Sequence, residues 1–292
     1  MRSIEKSEKK TLPMPTKSIG YLHGYLDPNP TNCCNAWFCP AGTSKGYPKF
    51  SNHNEPEYGT YSYAAFLYGC TFDCLFCQNS SHKNISTLRK VNVEDMVEDI
   101  FNNSKITCVC FFGGTPEPQL PFTINLSERL LEKVRNESPD RNLRIFWEWN
   151  GSGKRSLVKR CMELALRSGG NIKFDLKAYF KKLNFALCGV SNERTIENFK
   201  FLAQNYFGHR NDLPELSGCT LLVPGYTIEE DVEKIAQFIS SLNSKIPYSL
   251  LVFHPDYKMK DLPITPKKQV YRCLEVAREY LENVHLGNRF LV

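Results

Sequence analysis

From residue 61 onward, short apolar runs alternate with stretches whose apolar positions recur at helical spacing. Tyr61 to Leu67 reads as a strand. Val93, Met96, Val97, Ile100 and Phe101 stand at i, i+3, i+4, i+7 and i+8, which predicts a helix over Asn92 to Phe101 with Asn92 as its cap. Ile106 to Phe112 predicts a buried strand ending in Gly113-Gly114. The alternation continues with a helix near Asn125 to Asn136, a strand Leu143 to Trp149 and a helix near Ser156 to Arg167. A strand Asn171 to Asp175, a helix Thr195 to Asn205 and a strand Cys219 to Val223 follow. Thr227-Ile228-Glu229-Glu230 has the form of a capping box, and Val232, Ile235, Ala236 and Ile239 give its helix an inward face. The strand Ser249 to Phe253 precedes a last helix, Lys267 to Glu282, with Val270, Cys273, Leu274 and Ala277 on one side.

About six β-then-α units in one run predict an α/β fold whose parallel strands are joined by helical crossovers. The near-continuous apolar strands agree, because parallel strands are buried on both faces. Six units are too few for an eight-fold barrel and suit a partial (βα)6 TIM-like barrel, or a doubly wound sheet. In both, chemistry collects at the C-terminal ends of the strands. Residues 1–20 form a charged, proline-containing lead that is expected to be mobile. Residues 21–60 are rich in Gly, Pro and Asn and hold Cys33, Cys34 and Cys39. They predict an irregular N-terminal extension (residues 1–60) ahead of a barrel domain (residues 61–292).

Composition narrows the class. Over 292 residues, 41% hydrophobic content supplies a sizeable core and excludes a disordered chain. No apolar run approaches a membrane span. Lys plus Arg exceed Asp plus Glu by 37 − 31 = 6, too small and too dispersed a surplus to demand nucleic acid. It permits an RNA or phosphate-bearing substrate, although no aromatic-basic RNA motif occurs. The 12 cysteines matter more. Met1 to Lys10 is charged and has no apolar h-region, so the expectation is a reducing, cytoplasmic setting in which thiolates serve metal or chemistry.

The first strand is followed by Gly69-Cys70-Thr71-Phe72-Asp73-Cys74-Leu75-Phe76-Cys77-Gln78-Asn79, a C-x3-C-x2-C loop. Twelve cysteines placed at random produce such a triplet roughly 0.02 times in a chain of this length. Three thiolates on one loop can hold three corners of a 4Fe–4S cluster and leave the fourth iron open. A structural zinc site is the alternative, since His82 follows Cys77 by five positions and completes a Cys3His set. Buried, unligated thiols are the third reading.

The loop, with aromatic Phe76 just before its third cysteine, resembles the signature of the radical S-adenosylmethionine (SAM) enzymes. Gly69 to Asn79 most resembles the branch containing pyruvate formate-lyase activating enzyme. Other stretches match that branch in order. Phe112 to Pro116 stands at the family's Gly-Gly-Glu motif, Glu148-Trp149-Asn150-Gly151 at its acidic-x-Asn-Gly strand end, and Asp175-Leu176-Lys177 at its Asp-x-Lys. Gly189 to Arg194 and Val223-Pro224-Gly225 also match, and His254 ends a strand where the family often has a histidine. The resemblance spans about residues 61–288. It implies a 4Fe–4S cluster on Cys70, Cys74 and Cys77 whose open iron chelates SAM. Reductive cleavage then gives a 5′-deoxyadenosyl radical that takes hydrogen from a substrate. It implies SAM contacts from Phe76, Gly113, Gly114, Thr115, Glu148, Asn150, Lys177 and His254, and a monovalent cation between Glu148 and Asp175. Thr115 replaces the family's Glu, with Glu117 two residues later.

The resemblance also implies a low-potential ferredoxin or flavodoxin as electron donor, oxygen sensitivity, and a protein substrate whose backbone glycine is activated. A small molecule, another peptide or RNA is the alternative substrate, and a zinc- or Fe–S-stabilised binding module is the non-enzyme rival. Each residue has an ordinary reading as well: Glu148 and Asp175 as loop acids, Lys177 as a surface charge, His254 as a turn residue before Pro255. Cys33-Cys34-x4-Cys39 is open to reading as an extra Fe–S or zinc site, a redox pair or a packed loop. Cys108, Cys110, Cys161, Cys188, Cys219 and Cys273 are expected to fill the core.

Overall fold

The structure is a computed structural model that describes residues 13–292. The expected mobile lead therefore falls, for residues 1–12, outside the described residues. A single nine-stranded sheet organises the chain. Its strands are β1 (Ile19–Pro28), β2 (Tyr61–Leu67), β3 (Lys90–Asn92), β4 (Ile106–Gly113), β5 (Arg144–Trp149), β6 (Ile172–Asp175), β7 (Leu216–Leu222), β8 (Tyr248–Val252) and β9 (Val284–Gly287). The order is β3-β1-β2-β4-β5-β6-β7-β8-β9. Every neighbouring pair from β2 to β9 is parallel, whereas β1 runs antiparallel to both β2 and β3. The edges β3 and β9 do not pair with each other, so the barrel is partial, as the count of βα units predicts.

Helices cross between the parallel strands: α2 (Val93–Asn102), α3 (Leu120–Glu137), α4 (Arg155–Ser168), α5 (Lys181–Cys188) with α6 (Glu193–Tyr206), α7 (Glu229–Leu242) and α8 (Lys267–Tyr280). A short α1 (Pro40–Thr43) lies before β2. Asn92 caps α2 by accepting from the Glu94 amide over 2.8 Å. The inward faces of α7 and α8 are buried as the helical periodicity requires. Among the described residues, no helix is long and apolar enough to cross a membrane.

Each strand presents two different faces. Val109, Phe111, Ile145, Trp147, Trp149, Ile172 and Phe174 join the helices in the main core. The alternating positions Cys108, Cys110, Phe146, Glu148 and Lys173 line a lumen on the other side. Charged and thiol groups thus point inward while the outer layer is aliphatic and aromatic.

Four expectations are corrected. The segment 21–60 is not irregular throughout, because β1 carries ten residues into the sheet in register with β2 (Leu22 opposite Leu67). Gly20 and Gly24 hide that strand in sequence, and the packing favours them: a Cβ there would meet the Phe122 ring at 2.6 Å and the Tyr63 hydroxyl at 2.0 Å. The capping box does not form. Thr227 instead turns its hydroxyl to the Leu221 carbonyl at 2.9 Å and accepts from the Val223 amide at 2.6 Å, tying the helix start to the end of β7. α3 begins five residues earlier than its periodicity predicts, with Pro121 in its first turn. α5 and β9 carry too few regular apolar positions to be predicted at all.

Beyond β1, the extension folds under the N-terminal ends of the strands. Asn35 accepts from Ser217 at 3.0 Å, and the Cys34 carbonyl accepts from Ser249 at 2.7 Å. Trp37 stacks on His285 with ring centroids 4.9 Å apart. At the base, Glu57 and Arg144 form a fully buried bidentate ion pair with contacts of 2.8 and 2.6 Å. The other end of the barrel stays open to the loops.

Candidate functional site

The C-terminal ends of the parallel strands converge on one cavity. Cys70, Cys74 and Cys77 line it from the loop after β2, Gly113 and Gly114 from β4, Asn150 from β5, and Asp175 and Lys177 from β6. Backbone bonds fix the cysteine loop. The Asp73 and Leu75 amides donate to the Cys188 and Leu187 carbonyls at the end of α5, each over 2.9 Å, and Lys258 donates to the Leu75 carbonyl at 3.0 Å. Thr115 donates its amide to the Gly69 carbonyl at 3.0 Å. Gly114 is required there, since a Cβ would lie 2.0 Å from that same carbonyl oxygen. Gly113 takes a φ of +113°, where a side chain is strained.

The three thiols differ. Burial pushes Cys70 up to about 12 and raises Cys77. A hydrogen bond from Cys188, with the Lys177 charge behind it, outweighs burial and holds Cys74 below the ordinary thiol range. Cys188 is buried in a core cluster, as expected, and in addition supports the central cysteine of the loop. Among the described residues, Cys70, Cys74, Cys77 and His82 do not come within 4.8 Å of one another as a set. Four ligands 2.0–2.3 Å from one zinc ion must lie within roughly 4 Å of each other. As placed, these side chains therefore do not form a mononuclear zinc site. His82 is buried 3.8 Å from Cys77 Sγ through Nε2, and its Nδ1 has no partner among the described residues.

Lys177 is held by Asp175 at 2.9 Å and stands 5.9 Å from the centre of the Phe76 ring. Burial alone lowers an ammonium pKa, but Asp175 and then Cys74 outweigh it, so Lys177 stays charged. Phe76 is buried in the cavity wall with Phe72 and Leu221. Asn150 donates to Thr71 at 2.8 Å and also faces Cys70 Sγ at 3.8 Å, so it orients the cysteine loop.

Three of the expected assignments meet other contacts in the structure. Lys173 places its ammonium 3.1 Å from Glu148 and 2.9 Å from Asp175, which fills the position expected for a monovalent cation. Sequence reasoning passed over Lys173, although a lysine two residues before Asp175 in a buried strand is the signal that finds it. His254 does not line the cavity with its side chain; only its carbonyl takes part, accepting from Gln78 at 3.4 Å. Thr115 lies behind the wall, where its hydroxyl donates to Glu117 and accepts from the Asn150 amide.

Glu117 also faces away from the cavity and accepts from the Ser152 amide at 3.2 Å. Burial pushes its carboxyl up to about 7, against the Thr115 and Ser152 hydrogen bonds. The folded chain then holds this proton more tightly than the unfolded one. Stability should fall as pH rises from about 4.5 to 7, by roughly 3 kcal/mol in full. Glu117→Gln should remove that fall, seen as urea midpoints that drop less between pH 5 and pH 8. An unchanged pH profile would contradict the assignment.

A family model described as the radical SAM superfamily matches residues 65–239. Over 220 residues the chain is 24% identical to a Methanocaldococcus jannaschii protein provisionally named a glycyl-radical enzyme activating enzyme, covering 74% of this chain and 77% of that one. Pyruvate formate-lyase 1-activating enzyme of Escherichia coli K12 is 21% identical over 237 residues, covering 75% of this chain and 89% of its own. The crystal structure of Streptococcus suis SuiB bound to precursor peptide SuiA shares the fold with a TM-score of 0.54 at 18% identity, over 77% of this chain and 48% of that one. The matched stretch takes in the cysteine loop and the strand ends from β2 to β7 and covers more than half of the sequence, so the chain belongs to the radical SAM superfamily.

Proposed function

We propose that this enzyme holds a 4Fe–4S cluster on Cys70, Cys74 and Cys77, binds SAM in the same cavity, and acts on a backbone glycine of a partner protein. When bound, the cluster and SAM together supply one-electron cleavage of the sulfonium to a 5′-deoxyadenosyl radical that abstracts hydrogen. The observation that carries the reading is three thiols lining one cavity, not placed as a mononuclear zinc site, on a loop without a fourth cysteine.

The residues present fit both groups. The ammonium of Lys177 is a fixed positive charge for the methionyl carboxylate, held by Asp175. Phe76 offers an apolar face to adenine, and Phe72, Leu221 and Leu251 exclude water. Gly113 and Gly114 leave the wall without side chains beside the loop. His82, whose buried Nδ1 has no partner among the described residues, also lines the cavity. Glu148 closes the inner wall through Lys173. A reduced ferredoxin or flavodoxin is the electron donor that such chemistry needs.

The names of the activating-enzyme relatives support the glycine substrate. Anaerobic reconstitution with iron and sulfide should load about four irons per chain. The loaded enzyme should then cleave SAM to methionine and 5′-deoxyadenosine only when a reductant is added. With a partner protein carrying deuterium at glycine Cα, deuterium should appear in the 5′-deoxyadenosine. Iron loading without SAM cleavage would overturn the reading, and cleavage without glycine deuterium transfer would redirect it to another substrate.

A further inference from the structure

A second group of metal-binding side chains gathers at the inner end of the barrel. Cys33 and Cys34 come from the segment under the strands, and Glu148 from the lumen face of β5. Their candidate ligand atoms, two sulfurs and one carboxylate oxygen, all lie within 4.8 Å of one another. Among the described residues, no other three His, Cys, Asp or Glu side chains meet that condition. The Cys33 thiol donates to Glu148 Oε1 at 3.0 Å, and Cys110 reaches the same oxygen at 3.7 Å. Cys34 is hydrogen-bonded to Cys219 of β7. Cys39, the third cysteine of the extension, is not part of the group and packs against Ala41, Cys108 and Phe146.

We propose that Cys33, Cys34 and Glu148 form a site for one thiophilic divalent cation, zinc in the first instance, with its fourth coordination position open to the lumen. Two thiolates and a carboxylate are a zinc donor set, and sulfur ligands select against magnesium and calcium. Three protein ligands with one open position are the arrangement of a zinc site that takes a ligand, as opposed to a closed structural one. The open position faces a cavity of about 290 Å³ that Phe112, Lys173 and Leu251 also line.

Charge balance favours the same occupant. Glu148, Lys173, Asp175 and Lys177 form a row of alternating sign that sums to zero. A divalent cation brings two positive charges and displaces two thiol protons to solvent, so the row stays neutral. A buried centre tolerates added charge only when it is matched in this way. On binding, the Cys33-to-Glu148 hydrogen bond gives way to one metal bond from each residue.

The row ends at Lys177, in the strand-end cavity, and Glu148 and Lys173 line both spaces. An ion here lies at the inner end of the lumen, below the strand-end cavity where the proposed chemistry takes place. Only this last placement rests on the proposed function; the ion site itself does not.

Zinc titration of anaerobically purified protein tests the site. One zinc per chain should bind, persist in the Cys70→Ala/Cys74→Ala/Cys77→Ala variant, and be lost in Cys33→Ser/Cys34→Ser. Glu148→Gln, which keeps the volume, should weaken binding by at least about 10-fold, the loss that removing even an outer partner of a metal ligand brings. Cobalt(II) in the unsubstituted chain should give near-ultraviolet thiolate-to-metal absorption, a readout that survives if a variant does not fold. Zinc that follows the loop cysteines instead of Cys33 and Cys34 overturns the proposal. So does the absence of the cobalt band from the fully reduced chain. Retention of zinc in the triple loop variant supports this site even where cluster loading of the wild-type loop fails.

Discussion

Cys74→Ala should abolish reductant-dependent SAM cleavage, a loss of at least about 10³-fold, equivalent to more than about 4 kcal/mol of transition-state stabilisation. The loop supplies three thiols and no fourth, so removing one leaves a polynuclear group on two. Cys74 is the most consequential of the three. It sits in the middle of the loop, and its thiol is the one held below the ordinary range, by Cys188 and then Lys177, while burial raises Cys70 and Cys77. The thiolate is the ligand form, so Cys74 offers it at the least cost. Iron content and the visible absorption of the reconstituted protein should fall with activity. The loop's backbone bonds to Leu187, Cys188 and Lys258 do not involve the sulfur, so the circular dichroism should be unchanged. Cys161→Ala is the matched control: the same chemical change in a fully buried cysteine on the inner face of α4, expected to keep iron and cleavage. SAM cleavage surviving in Cys74→Ala would refute the cluster assignment.

The strand ends were legible in the sequence for a physical reason. A parallel strand buried on both faces is a nearly unbroken apolar run, and the polar residues that interrupt it mark where it meets a site. Cys70, Asn150 and Lys177 stand at such interruptions, and all three line the cavity. Lys173 interrupts a strand from within, and its inward direction appears only when register places it beside Glu148 of β5. The roles of Cys110, Cys188 and Cys219 were hidden for a related reason. A buried cysteine reads the same in sequence whether it fills space, as Cys161 and Cys273 do, or turns to a carboxylate or another thiol. β1 was illegible because its glycines suppress the apolar alternation, and those glycines are favoured by packing against Phe122 and Tyr63, far away in sequence. The extension's partners in the barrel floor, such as Ser217 and Ser249, are equally distant.

Glu57→Gln should be the most destabilising conservative change in the chain, costing about 3–5 kcal/mol. Glu57 and Arg144 are both fully buried, and the guanidinium grips both carboxylate oxygens. Thr107 donates to Oε2 at 2.9 Å, while the Asn52 amide and the Ser51 hydroxyl donate to Oε1 at 3.1 Å each. Burial pushes the Glu57 carboxyl up, but the Arg144 hydrogen bond and charge outweigh it and hold the group at about 2. The amide variant leaves a buried guanidinium without a counter-charge and turns an N–H₂ toward it. At the scale of a domain this size, the melting temperature should fall by roughly 10 °C. The sign with pH follows from the depressed value. The ion pair's contribution is present above about pH 4.5 and is lost as pH falls toward 2, so wild type should weaken through that window. Glu57→Gln should lack that part of the acid sensitivity. Changing both partners to apolar residues, Glu57→Leu with Arg144→Met, should recover much of the loss, because what costs most is the orphaned charge. A Glu57→Gln protein as stable as wild type at pH 7 would show that the pair does not hold the extension to the strands. The same pair decides more than stability, since it anchors the C-terminal end of the segment that carries Cys33 and Cys34 under the barrel. Loosening it should therefore weaken zinc at that site while leaving iron on the cysteine loop, at the opposite ends of the strands, in place.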